Sequence, residues 1–506
     1  MSQRTEVGAI ETRGIDFIPD EERNGSPRHL FWVFIGAQLS FTVIVFGWLP
    51  ITYGLGWWSS VTAITTGLVL GSLIYAPFAL FGPRTGTNSA VSSGAHFGVV
   101  GRLIGSLLAM ITAVGFFAIS IWTGGDALVA GAHSLLGTPI NNAMSVAGYA
   151  ITGLITIVIA VYGYATVVAA QKFIIPILGG LMLLGFIALA GKFDPNYAGG
   201  DYLLGGFWPT WLLAVGTSLS LPISYAPFAN DYSRYVRRED GGAKLVWLNF
   251  AGMMIGCLLA CLFGAYIASI FGPGEISLVN GLIGISPGWY IIAAVVLGLL
   301  GAFGQGSLCL YGTGLDTSSL FPRLARVPAT LMISAVSFVL VFIGRFVWNA
   351  VDSVSAFVII LVVILTPWVV INLVGYIRHR GQYNPEDLQI YNTGGSGGAY
   401  WFTAGWNFRA VGAFVPSVVV GLMFVNTTLF KGPWADAAGG VDLSLVSGAL
   451  LSLLLYVILT TVFPENNSVL PTVTESSPAP GAFAHDAGPE VDTTFAPTPS
   501  IAQEPA

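Results

Sequence analysis

The sequence carries little charge. Only 9% of its 506 residues are Asp, Glu, Lys or Arg, whereas 54% are hydrophobic. Soluble globular domains carry about 25% charged residues. The apolar runs are also much longer than a soluble core requires, since about 20 apolar residues are enough to cross a bilayer. The composition therefore excludes an ordinary soluble fold and predicts an all-α integral membrane protein that crosses the bilayer many times.

Cysteine and histidine are scarce as well, with three and five residues. Cys257, Cys261 and Cys309 fall in predicted membrane helices, so we interpret them as small packing residues. A metal-binding pair of Cys257 and Cys261 is the alternative. The histidines are scattered and no Ser/His/Asp set is visible, so the sequence predicts no resident metal, no cofactor and no enzyme. No basic run resembles a nucleic-acid-binding surface, which excludes nucleic acid as a partner.

Apolar stretches are the dominant feature that the sequence does contain. Twelve of them are long enough to form membrane-spanning helices, and we number these spans one to twelve. Their approximate limits are 30–51, 58–80, 103–130, 145–165, 170–190, 207–230, 246–270, 288–315, 328–347, 353–377, 408–429 and 441–463.

The basic residues are divided unevenly between the two sides of these spans. With a cytoplasmic N-terminus, only Lys192, Arg345 and Lys431 of the nineteen Lys and Arg residues lie on the outer side. Because cytoplasmic loops are rich in Lys and Arg, this predicts a multi-pass plasma-membrane protein with both termini in the cytoplasm. We expect a cytoplasmic tail at 1–29, a twelve-helix domain at 30–463, and a disordered cytoplasmic tail at 464–506 that is rich in Pro, Ala, Thr, Ser and Glu.

Two spans contain signals for a break inside the membrane. Span one contains GAQLS at 36–40, and span six contains Pro222 and Pro227, each of which removes a backbone donor. Where a sheltered helix unwinds, its carbonyl and N–H groups become available to a cation or a polar substrate. We interpret Gly36 and the Gln38 amide as parts of such a site. The alternatives are an interhelical hydrogen bond for Gln38 and a simple packing kink in span six.

The end of span six, PISYAPFANDYSRY at 222–235, resembles the nucleobase:cation symporter-1 family, which includes the purine/cytosine permeases. Six further segments resemble the family in the same order, so the resemblance runs from about residue 25 to residue 463. They are FWVFIGAQLSFTVIVFG, FGPRTGTNSAVSSGAHFGVVGR, GFFAISIWTGG, LYGTGLD, TPWVVINLVGY and YWFTAGWNFRA.

This resemblance implies a leucine-transporter-like core of ten helices. The core consists of two inverted five-helix repeats, at about 30–190 and 207–377, and spans eleven and twelve at 408–463 lie outside it. The substrate site is implied between spans one, three, six and eight. The resemblance implies a secondary symporter that uses a cation gradient to import a purine, cytosine or a related ring. The expected partners are therefore a nucleobase, H+ or Na+, and the lipid bilayer.

The resemblance also assigns site residues in spans three and six. The family's span-three aromatic aligns with Phe116, its polar partner one turn later with Ser120, and its second aromatic with Tyr225. This implies that Phe116 and Tyr225 sandwich a flat ring while Ser120 addresses the ring edge. Relatives usually have Trp and then Asn or Gln where this chain has Phe116 and Ser120. This difference leaves the identity of the substrate ring open and makes packing the alternative for Phe116.

Span eight departs most from the family, since it reads GQGSLCLY at 304–311 where relatives have Asn residues. Gln305 keeps an amide, which is implied to pair with the amidine or lactam edge of a base. A structural interhelical bond is the alternative. Sodium-coupled relatives offer hydroxyl groups from this helix to the ion, and here Ser307 alone matches. The comparison favours H+ over Na+.

Asp126, Asp231 and Arg234 are further candidates for ion coupling or gating. A carboxylate within span three is costly unless it is paired, hydrated or neutralised, so Asp126 is either a proton carrier or a residue of the site entrance. Asp231 and Arg234 lie three residues apart near the end of span six. They suit either an ion pair of the inner gate or a solvated pair at a helix end.

The predicted function is import of a nucleobase by H+ or Na+ symport, the base being a purine such as hypoxanthine, adenine or guanine, or cytosine. One alternative is a symporter of the same fold for a hydantoin, allantoin, thiamine or pyridoxine-like ring. Another is an amino-acid transporter of this architecture, which the family segments disfavour. A membrane enzyme or receptor requires clustered catalytic groups or a signalling domain, and neither is visible in the sequence.

Overall fold

The structure is a computed structural model that describes residues 15–161, 164–272, 277–320, 326–348, 350–437 and 439–465. Within these residues the chain forms eighteen α-helices. They are α1 Pro27–Gln38, α2 Phe41–Thr52, α3 Trp57–Tyr75, α4 Phe81–Thr85, α5 Ser89–Phe97, α6 Leu103–Leu136, α7 Asn142–Val161, α8 Tyr164–Leu189, α9 Phe207–Ser224, α10 Ala229–Ser233, α11 Ala243–Phe271, α12 Leu278–Ile285, α13 Gly288–Leu320, α14 Arg326–Phe342, α15 Ala350–Arg378, α16 Pro385–Gln389, α17 Phe408–Met423 and α18 Ser444–Val462.

The prediction of about twelve membrane helices is confirmed. Ten helical stretches are long and apolar enough to cross a membrane, and α1 with α2 forms one further, bent pair. α17 is a shorter apolar helix of 16 residues. Spans one and six correspond to α1 with α2 and to α9 with α10. The other spans correspond, in order, to α3, α6, α7, α8, α11, α13, α14, α15, α17 and α18.

The predicted end of span eleven at residue 429 was wrong. α17 ends at Met423, and the chain then turns. The Asp442 carboxylate accepts a hydrogen bond from the backbone N–H of Asn426 (2.9 Å), so these turns are fixed against the start of α18. A carboxylate that binds a backbone N–H stabilises a turn at the expense of a continued helix.

Span one is broken where the sequence predicts it. α1 ends at Gln38, α2 begins at Phe41, and the two helices are bent by 60°. Ser40 is the N-cap of α2, because its hydroxyl oxygen accepts a hydrogen bond from a backbone N–H of the first turn. Span six changes less sharply: α9 ends at Ser224, a 3₁₀ turn covers Ala226–Phe228, and α10 follows directly.

The two halves of the bundle pack in a related way. Span one lies against α11, which is span seven, and span six lies against α3, which is span two. Both contacts bring backbones together at glycines. A Cβ on Gly264 would lie 2.0 Å from the carbonyl oxygen of Ile44, and a Cβ on Gly67 would lie 2.4 Å from that of Val215. The contact of span one with span seven is thus equivalent to the contact of span six with span two. Two repeated five-helix units produce this equivalence, because span six repeats span one and span seven repeats span two.

The segments before span one and after spans two and six meet on one side of the bundle, which we name the basic face. There the backbone N–H of Ile18 donates to the carbonyl oxygen of Gly86 (2.9 Å), and that of Gly25 donates to Tyr235 (2.7 Å). Arg23 is buried at this face, and its guanidinium donates to the carbonyl oxygen of Ile18 (2.9 Å). The basic segments assigned to one side by the sequence therefore lie together.

The sides of the bundle are apolar. Phe173 and Ile187 on α8 and Leu450 on α18 are among the large apolar side chains that point outward. Exposed apolar area on this scale is typical of a surface that contacts lipid.

Candidate functional site

The five side chains predicted to bind the substrate are buried where spans one, three, six and eight meet. The most exposed of the five is Tyr225, at 8%. α6 packs against α13, and α2 packs against both of them, so the break in span one faces spans three and eight. The five residues are Gln38, Phe116, Ser120, Tyr225 and Gln305.

Hydrogen bonds link spans one, eight and six in a chain that we name the central chain. The Ser40 hydroxyl donates to the side-chain oxygen of Gln305 (3.4 Å), and the Gln305 amide nitrogen donates to the Tyr225 hydroxyl (2.7 Å). The sequence places Gln305 and Tyr225 in one site, and in the structure they are in direct contact. Ser40 therefore has two tasks, since it caps α2 and also fixes the oxygen end of the Gln305 amide.

An unsatisfied polar group, the Gln38 amide, lies beside the central chain. It is fully buried, and neither its Oε1 nor its Nε2 has a hydrogen-bond partner among the described residues. The side chain does interact with the Tyr225 hydroxyl, but not in hydrogen-bond geometry. A buried polar group without a partner costs about 1–3 kcal/mol. Such groups are rare unless a ligand or another function uses them, so Gln38 is suited to bind a polar ring edge.

The two candidates on α6 face span one. The hydroxyls of Ser120 and Thr42 share a hydrogen bond (3.0 Å), and Ser120 also donates to the carbonyl oxygen of Phe116 (2.9 Å). The Phe116 ring stacks on Phe46, with centroids 5.9 Å apart and planes 7° apart, while Phe357 meets its edge at 6.1 Å. One face of the Phe116 ring is therefore already covered by the protein.

The residues considered for cation binding already have contacts within the protein. The Ser307 hydroxyl donates to the carbonyl oxygen of Gly304 (3.1 Å), and the Gln171 amide nitrogen of α8 donates to the same oxygen (2.9 Å). Gly36 lies against Ile175 of α8, where a Cβ would come within 2.0 Å of the Ile175 side chain. The carbonyl oxygen next to Ser307 thus already accepts two hydrogen bonds.

Asp126 lies apart from the central chain, where α6 meets α7 and the segment before α12. Its Oδ1 accepts a hydrogen bond from the Tyr149 hydroxyl (2.8 Å), and its Oδ2 accepts one from the Ser277 hydroxyl (3.5 Å). Both oxygens have a donor, which is the arrangement that a buried carboxylate requires. The carboxylate therefore ties three segments together.

Asp231 and Arg234 lie on and just after α10, at the basic face. The backbone N–H of Ser89 donates to Asp231 Oδ1 (3.3 Å), and the charge of Arg234 acts on Asp231. The two side chains are buried, at 2% and 0% exposure, so they do not form the solvated helix-end pair that the sequence leaves open.

Sequence reasoning missed four polar residues of this region, Ser40, Thr42, Gln171 and Asp316. Ser40 and Thr42 lie in the quoted motif of span one, and Asp316 ends the LYGTGLD segment. The signal for Asp316 was therefore present, because a carboxylate at the end of an apolar span is costly and informative. Gln171 is recognised only when α8 is seen to meet α13.

A permease family and a bacterial relative match most of this chain. The model of a family described as permeases for cytosine/purines, uracil, thiamine and allantoin matches residues 17–448. The chain is 29% identical over 468 residues to the putative purine-cytosine permease YxlA of Bacillus subtilis (strain 168). That match covers 89% of this chain and 96% of the relative.

Two solved structures share the fold. Mhp1, a nucleobase-cation-symport-1 family transporter in a closed conformation with bromovinylhydantoin bound, matches with a TM-score of 0.70 and 18% identity over 91% of this chain and 98% of Mhp1. A Na+-coupled sialic acid symporter in a substrate-bound outward-open state matches with a TM-score of 0.55 and 14% identity. That match covers 88% of this chain and 92% of the symporter. These likenesses confirm the leucine-transporter-like fold.

Proposed function

This chain belongs to the permease family for cytosine, purines, uracil, thiamine and allantoin, and on that premise we propose that it imports a nucleobase by cation symport. The substrate is a purine such as hypoxanthine, adenine or guanine, or it is cytosine. A cation gradient drives uptake by alternating access, and the base is released chemically unchanged.

The observation that carries this proposal is the central chain beside the unpartnered Gln38 amide. A nucleobase presents donors and acceptors along the edge of a flat ring, and an amide side chain offers one kind of each. Gln38 binds such an edge without breaking an existing hydrogen bond, whereas Gln305 exchanges its bond to Tyr225 for one to the base. A wholly apolar ligand would leave Gln38 unsatisfied, which disfavours it.

Aromatic contacts supply the affinity for the ring faces. We assign Tyr225 and the face of Phe116 opposite Phe46 to stacking, which is worth about 1–3 kcal/mol per base in other proteins. Phe46 supports Phe116 from behind and so fixes the orientation of its ring. Ser120 addresses the ring edge when it exchanges its bond to Thr42 for a bond to the substrate.

The coupling cation that we favour is H+. A sodium ion next to Ser307 requires strong oxygen ligands, and the Gly304 carbonyl there already accepts hydrogen bonds from Ser307 and Gln171. Na+ bound near Gly36 and Ser307 is the alternative. Uptake measured under an H+ gradient and under a Na+ gradient, each imposed separately, distinguishes the two ions.

We propose that the basic face is cytoplasmic and that the protein lies in the plasma membrane. Arg23 of the N-terminal tail donates to the carbonyl oxygen of Pro83 in the segment after span two (3.0 Å), and both segments belong to the side rich in Lys and Arg, so the positive-inside rule supports this orientation. In this orientation both chain termini are cytoplasmic.

A related ring is the second candidate substrate. The family description extends to thiamine and allantoin, and Mhp1 holds a bromovinylhydantoin. Phe116 and Ser120 are smaller than the Trp and the Asn or Gln that this family usually has at those positions. Smaller side chains at these two positions favour a ring that carries a substituent.

Uptake by the purified full-length protein in liposomes tests the proposed function. Radiolabelled hypoxanthine, adenine, guanine and cytosine are offered one at a time under an imposed H+ or Na+ gradient. We expect saturable uptake of at least one base that depends on the H+ gradient. Failure of all four bases with folded protein would overturn the nucleobase assignment in favour of hydantoin, allantoin or vitamin-like rings, and uptake driven by Na+ alone would overturn the choice of cation.

A further inference from the structure

Two buried carboxyl groups at the basic face are poorly satisfied. Asp231 Oδ2 and both carboxylate oxygens of Asp316 have no hydrogen-bond partner among the described residues. The two residues are 2% and 1% exposed. Only Asp231 Oδ1 has a donor, the backbone N–H of Ser89 (3.3 Å). Three buried carboxylate oxygens without a donor depart from the rule that buried polar groups are hydrogen-bonded, and this departure requires an explanation.

The two acids come from different spans and lie near each other. Gly312, one turn before Asp316 on α13, faces α10: a Cβ on Gly312 would lie 3.8 Å from Asp231 Oδ2 and 3.2 Å from the Phe228 ring. The negative charges of Asp231 and Asp316 act on each other. Because glycine lacks a side chain, α13 lies directly beside Phe228 and the start of α10 at this point, and the buried Asp316 carboxyl group one turn later is within electrostatic reach of Asp231.

The charged groups facing this pair do not balance it. Among the described residues, Arg234 acts on Asp231, and the phenol of Tyr75 on α3 lies within its electrostatic reach. Tyr75 is neutral at ordinary pH, so one guanidinium faces two carboxyl groups. If both acids were ionised, one buried negative charge would be left uncompensated, and adjacent buried carboxylates avoid this by sharing a proton.

The pair is also connected to the proposed substrate site. Ser89, at the start of α5, donates from its hydroxyl to the carbonyl oxygen of Ala226 (3.4 Å) and accepts from the backbone N–H of Asn230 (3.0 Å). These bonds fix the turn that separates Tyr225 from Asp231. A movement of α10 relative to α13 would therefore affect Asp231 and the turn next to Tyr225 together.

We propose that Asp231 and Asp316 together form the binding site of the coupling proton. This inference rests on the proposed symport function and names its ion and the groups that hold it. One proton is shared by the two carboxyl groups while the basic face is closed, and Arg234 balances the carboxylate that remains. When α10 and α13 separate, water reaches both carboxylates and the proton leaves on that side.

Infrared spectroscopy tests this site without any substrate. A protonated carboxylic acid has a carbonyl stretch separate from that of a carboxylate. We expect this carbonyl band in the wild-type protein at neutral pH, measured as a difference spectrum against a higher pH. The band is expected to disappear in Asp316→Asn and in Asp231→Asn and to persist in Asp240→Asn, a control at an exposed ion pair with Arg237. A wild-type protein without the band, or a band that survives in both variants, would overturn the proposal.

Transport by the same variants tests coupling. With one proton per substrate, a gradient of one pH unit drives about tenfold accumulation, because one unit corresponds to 1.36 kcal/mol. We expect this accumulation in wild type and in Asp240→Asn, and none in Asp316→Asn, whose amide resembles a permanently protonated acid. Asp316→Asn still exchanges labelled for unlabelled base at a reduced rate, and Asp316→Glu regains accumulation because its carboxyl group still titrates.

Two failures are distinguishable in this design. Accumulation by Asp316→Asn at the wild-type level would refute the proton site while leaving nucleobase transport intact. Absence of nucleobase exchange in the wild type, together with the infrared band, would refute the proposed substrate and leave the proton site standing.

Discussion

Buried carboxyl groups at the two ends of the bundle are treated in opposite ways. Asp126 has a donor on each oxygen, Tyr149 on one and Ser277 on the other. Asp231 and Asp316 lie near each other and share between them one backbone donor and one nearby guanidinium. The residue type is the same and burial is similar. The difference lies entirely in the partners that the surrounding helices provide.

This difference separates structural acids from acids available for transport. A carboxylate with a donor on each oxygen is stabilised in its charged form, and its hydrogen bonds hold the segments around it in place. A carboxyl pair without donors must bind a proton or change its surroundings. The same logic separates the Gln38 amide, which lacks partners, from the Gln305 amide, whose two ends are both bonded.

The largest effect is expected at Gln305, the partnered group that lies inside the proposed site. Gln305→Ala removes the middle of the central chain. The Ser40 hydroxyl loses its Gln305 acceptor, and the Tyr225 hydroxyl loses its Gln305 donor. We expect the concentration of base needed to compete for uptake to rise about 100-fold, because buried hydrogen-bonding groups without partners penalise binding strongly. Competition assays in proteoliposomes measure it. An unchanged apparent affinity would remove Gln305 from the site.

A smaller effect on binding, with no loss of stability, is expected at Gln38. Gln38→Leu replaces an amide that lacks partners with an apolar group of similar size. Base binding should weaken about tenfold through the loss of its hydrogen bonds, while the thermal midpoint of unfolding stays equal or rises. Parallel competition and unfolding assays measure the two quantities. A marked fall in the midpoint would show that Gln38 has a structural partner after all.

Asp126 is expected to show the opposite pattern. Asp126→Ala leaves the Tyr149 and Ser277 hydroxyls without their acceptor, so the free energy of unfolding should fall by about 1–3 kcal/mol. Half-saturation and the dependence on the H+ gradient should change by less than about twofold, since additivity holds for groups without shared partners. If Asp126→Ala abolished gradient-driven uptake in stable protein, the contrast between the two ends of the bundle would collapse.

The smallest effect concerns His96, which is half-partnered at the basic face. Its Nε2 shares a hydrogen bond with the Tyr383 hydroxyl (3.2 Å), while Nδ1 has no partner among the described residues. Burial, together with the neighbouring His379, lowers the pKa of His96 well below its ordinary value. The unfolded chain therefore binds more protons below about pH 6.5, and stability falls as the pH drops through that range.

His96→Gln tests this pH dependence. Glutamine keeps a group able to bond to Tyr383 but does not titrate, so the thermal midpoint should fall less between pH 7 and pH 5.5 in the variant than in wild type. Unfolding scans at each pH provide the measurement. Equal slopes in the two proteins would show that His96 does not control acid sensitivity.

Local sequence signals were sufficient for the membrane-spanning helices and for the break in span one. Hydropathy reports the spans directly, and the small and polar residues at 36–40 mark the point where α1 and α2 separate. Between spans two and three, however, hydropathy indicates no helix, and α5 forms there because the Asn88 side chain caps it through the Val91 N–H (3.1 Å). His96 lies on this helix and is fully buried.

Contacts between distant residues were predictable only where a family motif supplied them. Aligned segments assign Tyr225 and Gln305 to one site, and in the structure the Gln305 amide nitrogen donates to the Tyr225 hydroxyl. The contact of Gln171 with Gly304, and the approach of Asp316 to Asp231, depend on how α8 and α10 pack against α13. No local pattern encodes that packing, so the unpartnered carboxyl pair emerges only in three dimensions.

Proton movement caused by substrate is the most direct test of H+ and nucleobase symport. Wild-type protein is reconstituted in liposomes that contain a pH-sensitive dye, with equal pH and salt on both sides, and a nucleobase accepted in the uptake assay is added outside. With H+ symport, we expect the lumen to acidify as the base enters, because each base carries a proton with it. Entry of labelled base with no change in luminal pH would contradict H+ symport.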